Sequence, residues 1–206
     1  MNDGYFEILE SIASSEPTPG GGSVSALAIA HAHALALMVA RLTSGREKWA
    51  QGHSAAESVI SNSERGLVYS LKLAENDAKA FDDVMSAYRL PKASKEDTAN
   101  RKEAIQRATI GAASAPLETA SHACALLESL VALSEFGNLN ALTDLAASAE
   151  LAHTAVTVAA MNVKINLDSI DGPENVVLAN ELEKLTNISD GLVEQIRLTI
   201  SGRLGW

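Results

Sequence analysis

Residues 17–23 read PTPGGGS, and from residue 23 the chain continues as SVSALAIAHAHALALMVARL. This stretch decides the fold, because its second part is apolar at almost every position. A helix that is apolar on nearly every face needs neighbours on every face. We therefore predict a buried central helix over residues 23–42 and a multihelical protein built around it.

Gly20, Gly21 and Gly22 precede this helix. Glycine loses more backbone freedom on folding than any other residue, so three in a row are costly to order. Ser23 follows them and is of a type that caps helices. A helix N-terminus offers unpaired N–H groups and a partial positive charge, which together can hold an anion or a polar ligand. The segment is therefore either a ligand-binding loop or a flexible loop before an ordinary capped helix.

The helical period of apolar residues continues along the chain, and no run alternates as a β-strand does. We predict helices at about residues 5–14, 23–42, 55–90, 94–136, 142–165 and 174–201. Pro91 ends the third helix, Ser94 begins the fourth with a capping box, and Pro116 should bend the fourth. The fifth predicted helix, at about residues 142–165, is again apolar nearly all round. The expectation is a single all-α domain over residues 1–206, a bundle of about six helices with two long central buried helices.

The chain carries 16 Lys and Arg against 26 Asp and Glu, a formal net charge of −10. This charge argues against a nucleic-acid partner, which needs a basic patch, and against an anionic membrane. Residues 24–40 are too short and too rich in alanine to span a membrane. Aromatic residues make up only 4% of the chain. The core is therefore expected to consist of alanine and aliphatic side chains, which lets helices approach closely.

Cys124 is the only cysteine, so the chain has neither a disulfide framework nor a thiolate metal cluster. Its first ten residues are partly acidic and do not resemble a secretory leader, which favours a cytoplasmic protein. The histidines lack metal-ligand spacing, and His31 and His33 should point to different faces of their helix. We expect no metal site. Two helices buried on all sides in so small a chain also favour an oligomer.

Two carboxylates interrupt apolar helical positions and are candidates for chemistry. Asp77 lies within the third predicted helix, and Asp144 begins the fifth after the turn at residues 137–140. Each carboxylate could act as a general base, or could bind a heterocyclic ligand by accepting hydrogen bonds from the N–H groups of the ring. Asp144 could also simply cap the helix that it begins. Arg46 and Lys48 could bind a carboxylate or form a solvated basic turn. These residues alone leave the function open.

Several stretches, taken in order, resemble the cyclodeaminase/cyclohydrolase family of folate enzymes. They cover roughly residues 5–170: the glycine run at 17–23, then 38–45 with the basic turn, 77–87, 90–92, Arg101, 116–117, 137–140, 143–144 and 162–167. The chain departs from the family in three places. His31 and His33 follow the glycines, the basic turn reads GREKW, and TDLA stands where the family has Ser-Asp-x-Gly.

The resemblance implies an enzyme acting on the one-carbon unit of tetrahydrofolate. The enzyme would hydrolyse 5,10-methenyltetrahydrofolate to 10-formyltetrahydrofolate, or close a formimidoyl group with release of ammonia. The stand-alone form favours the cyclohydrolase, and a non-catalytic folate-binding or helical scaffold protein is the competing class. A homodimer without metal or redox cofactor is also implied. The implied roles are catalysis for Asp77 and Asp144, closure on the substrate for Gly20, Gly21, Gly22 and Ser23, pterin binding for Asn138 and Asn140, and glutamate binding for Arg46 and Lys48.

Overall fold

The computed structural model describes residues 4–206, which form six α-helices and no β-strand. The helices are α1 (Tyr5–Ala13), α2 (Gly21–Ser44), α3 (His53–Tyr88), α4 (Lys95–Phe136), α5 (Leu142–Leu167) and α6 (Pro173–Leu204). Short 3-10 helices at Glu47–Gly52 and Leu139–Ala141 lead into α3 and α5. The predicted all-α bundle of about six helices is confirmed.

Helix α2 packs against α3 and α5, while α4 packs against α3, α5 and α6. Both α2 and α5 are buried along most of their length, so they are the two central helices that the sequence predicted. The largest fully buried side chains are all Leu, Ile or Val. Residues 24–40 were predicted to be too short to span a membrane, but α2 extends over Gly21–Ser44 and is long and apolar enough by length and composition to cross one. In the bundle, 61% of its apolar window is buried. Buried core helices share this length and composition, so neither property by itself indicates a membrane span.

Local capping explains where α4 begins, but not where α2 begins. The Ser94 hydroxyl accepts a hydrogen bond from the Asp97 N–H, and the Asp97 carboxylate accepts one from the Ser94 N–H, which is the predicted capping box. Helix α2 begins at Gly21 rather than at the predicted Ser23. Ser23 therefore lies inside the first turn of α2, and its hydroxyl is free to bond to another helix.

Glycines allow α2 and α3 to run side by side in opposite directions. Gly22 of α2 faces Asp77 of α3, and a Cβ atom on Gly22 would overlap the Asp77 carboxylate. About three turns further along both helices, a Cβ atom on Gly66 of α3 would overlap the ring of His33 in α2. The α2–α3 contact therefore needs glycine at both positions. It also places Asp77 beside the N-terminus of α2.

Candidate active site

A polar cleft of about 320 Å³ opens where α2 begins. Its walls are the loop before α2, the first turn of α2, and parts of α3, α4 and α5. The lining residues include Gly20, Gly21, Gly22, Asp77, Phe81, Ala112, Asn162 and Asn166. The structure thus brings the predicted glycine run and the predicted catalytic Asp77 into one cleft.

Asp77 is half-buried and bonded to the first turn of α2. Its Oδ2 accepts a hydrogen bond of 3.1 Å from the Ser23 hydroxyl, and the Ser23 N–H also donates to the carboxylate. Burial raises the pKa of Asp77 above its ordinary value of 3.8, and the two bonds from Ser23 partly offset this rise. A half-buried carboxylate with a raised pKa is suited to taking up and releasing a proton in a cleft.

Asn162 and Asn166 of α5 line the same cleft as the glycine run. Asn162 Nδ2 donates to the Val158 carbonyl at 2.9 Å. Asn166 Nδ2 donates to the carbonyls of Ala112, at 3.1 Å, and of Asn162, at 2.8 Å. No role was predicted for these asparagines from the sequence. The available signal was their spacing of one helical turn on an otherwise apolar helix.

The other predicted site residues lie towards the far end of the bundle. Asp144 is in the first turn of α5, about 27 Å from Asn162 along the helix axis at a rise of about 1.5 Å per residue. Arg46 and Lys48 follow the C-terminus of α2, about 35 Å from the glycine run by the same geometry. A single chain therefore does not bring Asp77 and Asp144 together as a catalytic pair.

Asn138 and Asn140 belong to the turn between α4 and α5. The Asn138 N–H donates to the Thr43 hydroxyl at 3.0 Å, and Asn138 Nδ2 donates to the Leu42 carbonyl at 3.1 Å. Asn138 Oδ1 accepts the Asn140 N–H at 3.0 Å. Asn138 is only 4% exposed. In this structure Asn138 therefore holds this turn against the end of α2. The contact of Asn138 and Asn140 with a pterin ring stays a prediction.

The two histidines of α2 point in different directions, as their spacing predicts. His31 is exposed, whereas His33 is 3% exposed and lies with its Nε2 3.1 Å from the Nε2 of His122 in α4. Burial, together with the neighbouring His122, lowers the pKa of His33 to about 4. Within residues 4–206, no three His, Cys, Asp or Glu side chains come together in an arrangement that could hold a metal ion.

Residues 5–184 match the formiminotransferase-cyclodeaminase family. The chain is 33% identical over 208 residues to methenyltetrahydrofolate cyclohydrolase of Methylorubrum extorquens, with 98% of each protein covered. It is 33% identical over 160 residues to formimidoyltransferase-cyclodeaminase of Rattus norvegicus, of which it covers 30%. The structure resembles that of formiminotetrahydrofolate cyclodeaminase of Thermotoga maritima, with a TM-score of 0.87 and 31% identity over 98% of this chain and 96% of that one. The chain therefore belongs to the formiminotransferase-cyclodeaminase family.

Proposed function

We propose that this protein is a methenyltetrahydrofolate cyclohydrolase, which hydrolyses 5,10-methenyltetrahydrofolate to 10-formyltetrahydrofolate. The observation that carries the proposal is the similarity to a relative of that name over 98% of both chains. The bifunctional rat relative matches over only 30% of its own length. We place the reaction in the cleft that holds Asp77, because this half-buried carboxylate has a raised pKa.

Hydrolysis needs one group that first takes and then returns a proton. Water adds to the cationic carbon that bridges N5 and N10 of the substrate, and ionised Asp77 removes a proton from it as the C–O bond forms. Protonated Asp77 then gives this proton to N5 as the bond between carbon and N5 breaks. The remaining hydroxyl proton passes to solvent, which leaves the formyl group on N10. The ionised carboxylate also balances the positive charge of the bound substrate.

These steps call on no metal or redox cofactor, so we propose that none is required. Treatment with a chelator should then leave the rate unchanged. A rate that falls with chelator and returns on addition of a metal ion would contradict this proposal.

Replacing Ser23 with alanine is expected to raise the pKa of Asp77, because the lost hydroxyl bond stabilises the charged carboxylate. The acid limb of the pH profile of kcat/KM should move to higher pH, so kcat/KM measured on that limb should fall roughly tenfold. Ser58→Ala is the control, since Ser58 is an exposed serine of α3 outside the cleft. An acid limb at the wild-type pH in Ser23→Ala would show that Ser23 does not tune Asp77.

A formimidoyltetrahydrofolate cyclodeaminase is the second candidate, because a solved protein of that name resembles this chain over nearly its full length. In that reaction protonated Asp77 would give its proton to the departing ammonia as the ring closes. Incubation with formimidoyltetrahydrofolate and measurement of released ammonia distinguishes the two activities. Ammonia release without hydrolysis of the methenyl substrate would favour the deaminase.

We further propose a homodimer formed through the outward face of α2. Val24, Met38 and Leu42 on this face are 38%, 39% and 41% exposed. Helix α1 lies beside it with its apolar side chains largely uncovered, and Phe6 is 60% exposed. An uncovered apolar stripe along a central helix is typical of a protein-protein contact. A second copy packed with its α2 antiparallel would cover the stripe in both subunits.

The same pairing would bring the basic turn of one subunit, with Arg46 and Lys48, towards the Asp77 cleft of the other. Asp77→Asn and the double variant Arg46→Gln/Lys48→Gln are each expected to be nearly inactive. When the two proteins are unfolded together and refolded, activity should return to about a quarter of the wild-type value, because half of randomly paired two-fold dimers hold one intact site. A monomer in solution, or no recovered activity, would contradict the shared site.

A further inference from the structure

Pro116 leaves one carbonyl group of α4 without its helical partner. In an α-helix the N–H of residue 116 would donate to the carbonyl of Ala112, but proline has no N–H. The Ala112 carbonyl instead accepts a hydrogen bond of 3.1 Å from Asn166 Nδ2. The proline in α4 therefore provides the anchor for a side chain of α5, at the point where both helices line the cleft.

This anchor fixes which end of the Asn166 amide is free. Its other amide hydrogen goes to the Asn162 carbonyl at 2.8 Å, and an amide nitrogen carries only two hydrogens. Because backbone carbonyls accept and cannot donate, the nitrogen and oxygen of this amide cannot be exchanged. Asn162 is oriented in the same way by the Val158 carbonyl. Within residues 4–206, neither Oδ1 atom accepts a hydrogen bond.

The cleft therefore has two chemically different walls. The α5 wall offers two oriented acceptors, the Oδ1 atoms of Asn162 and Asn166. The α2 wall offers donors, because the N–H groups of Gly21 and Gly22 lie in the first turn and have no partner within the helix. A ligand that carries N–H groups on one part of an edge and a carbonyl oxygen on the other matches both walls.

We propose that Asn162 and Asn166 recognise the N–H edge of a 2-amino-4-oxopyrimidine ring, the edge that a reduced pterin presents, and that Pro116 is a positioning residue for this contact. The 2-amino group and N3–H would donate to the two Oδ1 atoms, and O4 would accept from the first turn of α2. The assignment rests on the proposed folate substrate. It gives the pterin-binding role, predicted for Asn138 and Asn140, to a different pair of asparagines.

A substrate that lacks the 2-amino group tests the pair directly. The wild-type protein should prefer methenyltetrahydrofolate over its 2-desamino analogue by about tenfold to a hundredfold in kcat/KM, since the analogue leaves an acceptor of the cleft unpaired. In the variant that removes the acceptor of the 2-amino group, either Asn162→Leu or Asn166→Leu, this preference should fall to a few-fold at most. Asn187→Leu is the matched control, because Asn187 is an exposed asparagine of α6. A preference retained in both cleft variants, or absent from wild type, would overturn the proposal.

Binding provides a readout that does not depend on turnover. The dissociation constants of 5-formyltetrahydrofolate and its 2-desamino analogue, measured by calorimetry, should show the same preference in wild type and the same loss in the variant that lacks the acceptor of the 2-amino group. If wild type binds with this preference but hydrolyses neither methenyl compound, the proposed reaction is wrong, whereas the proposed recognition of the pterin ring is supported. If 5-formyltetrahydrofolate does not bind to wild type, the recognition is wrong as well.

The variant Pro116→Ala distinguishes an effect of the proline on the position of Asn166 from an effect on the stability of the fold. Alanine supplies the N–H that can return to the Ala112 carbonyl and compete with Asn166. Because alanine is a far better helix former than proline, the thermal midpoint should stay or rise. The preference for the 2-amino substrate should nevertheless fall several-fold, mainly through KM. A Pro116→Ala protein with the wild-type preference would overturn the positioning role, since a merely structural proline would alter stability alone.

Discussion

Asp77→Asn is expected to lower kcat for methenyltetrahydrofolate hydrolysis by about 10²- to 10⁴-fold, the range that a positioned acid-base group contributes. The amide has nearly the shape of the carboxylate and can still accept the bond from the Ser23 hydroxyl. It cannot take a proton from the attacking water. The fold should therefore be preserved, and KM should change much less than kcat.

Asp82→Asn is the matched control for this variant. Asp82 is an exposed carboxylate on the same helix, and it does not line the cleft. Its replacement should leave both kcat and KM within about twofold of wild type, as is usual for surface changes away from a site. Turnover by Asp77→Asn at the wild-type rate would remove Asp77 from the chemistry.

The second large effect is a loss of folding stability at acid pH, which we expect to come from His33. Its pKa is about 4 in the folded protein and about 6.5 when unfolded, because burial and the facing His122 disfavour the charged ring. Between these values the unfolded chain binds a proton that the folded chain does not. The free energy of unfolding should therefore be highest above about pH 6.5 and should fall by about 3 kcal/mol as the pH approaches 4. This magnitude follows from about 1.4 kcal/mol for each unit of difference between the two pKa values.

Denaturant unfolding of wild type and His33→Gln between neutral and acid pH measures this loss. The variant should show a flatter decline of the free energy of unfolding with falling pH. Some decline should persist, because burial also lowers the pKa of His122. His31→Gln, which changes the exposed histidine of the same helix, should decline as wild type does. Identical slopes for wild type and His33→Gln would contradict the assignment.

Much of the fold could be predicted because its signals are local. The apolar residues of α2 and α5 required neighbours on all sides, and Ser94 with Asp97 carried a complete capping box within four residues. The start of α2 was predicted less well. Ser23 resembled an N-cap, but its partner is the Asp77 carboxylate of another helix. That contact depends on the close approach of α2 and α3, which no local pattern contains.

The candidate site could be predicted only in part, because a resemblance orders residues along a chain and not in space. It identified the glycine run and Asp77, which do share a cleft. It paired Asp77 with Asp144, although the length of α5 separates Asp144 from the cleft. The contribution of Asn166 depends on a carbonyl that Pro116 leaves free in a different helix. The sequence predicted only a bend at that proline.

The most direct test of Asp77 as the base of a cyclohydrolase is a spectrophotometric assay of the purified protein with 5,10-methenyltetrahydrofolate. The near-ultraviolet absorption of the substrate is followed against the rate in buffer alone. We predict a rate far above that of buffer, a 10-formyltetrahydrofolate product, and a return almost to the buffer rate in Asp77→Asn. A wild-type rate equal to that of buffer would contradict the cyclohydrolase, and equal acceleration by both proteins would contradict the role of Asp77.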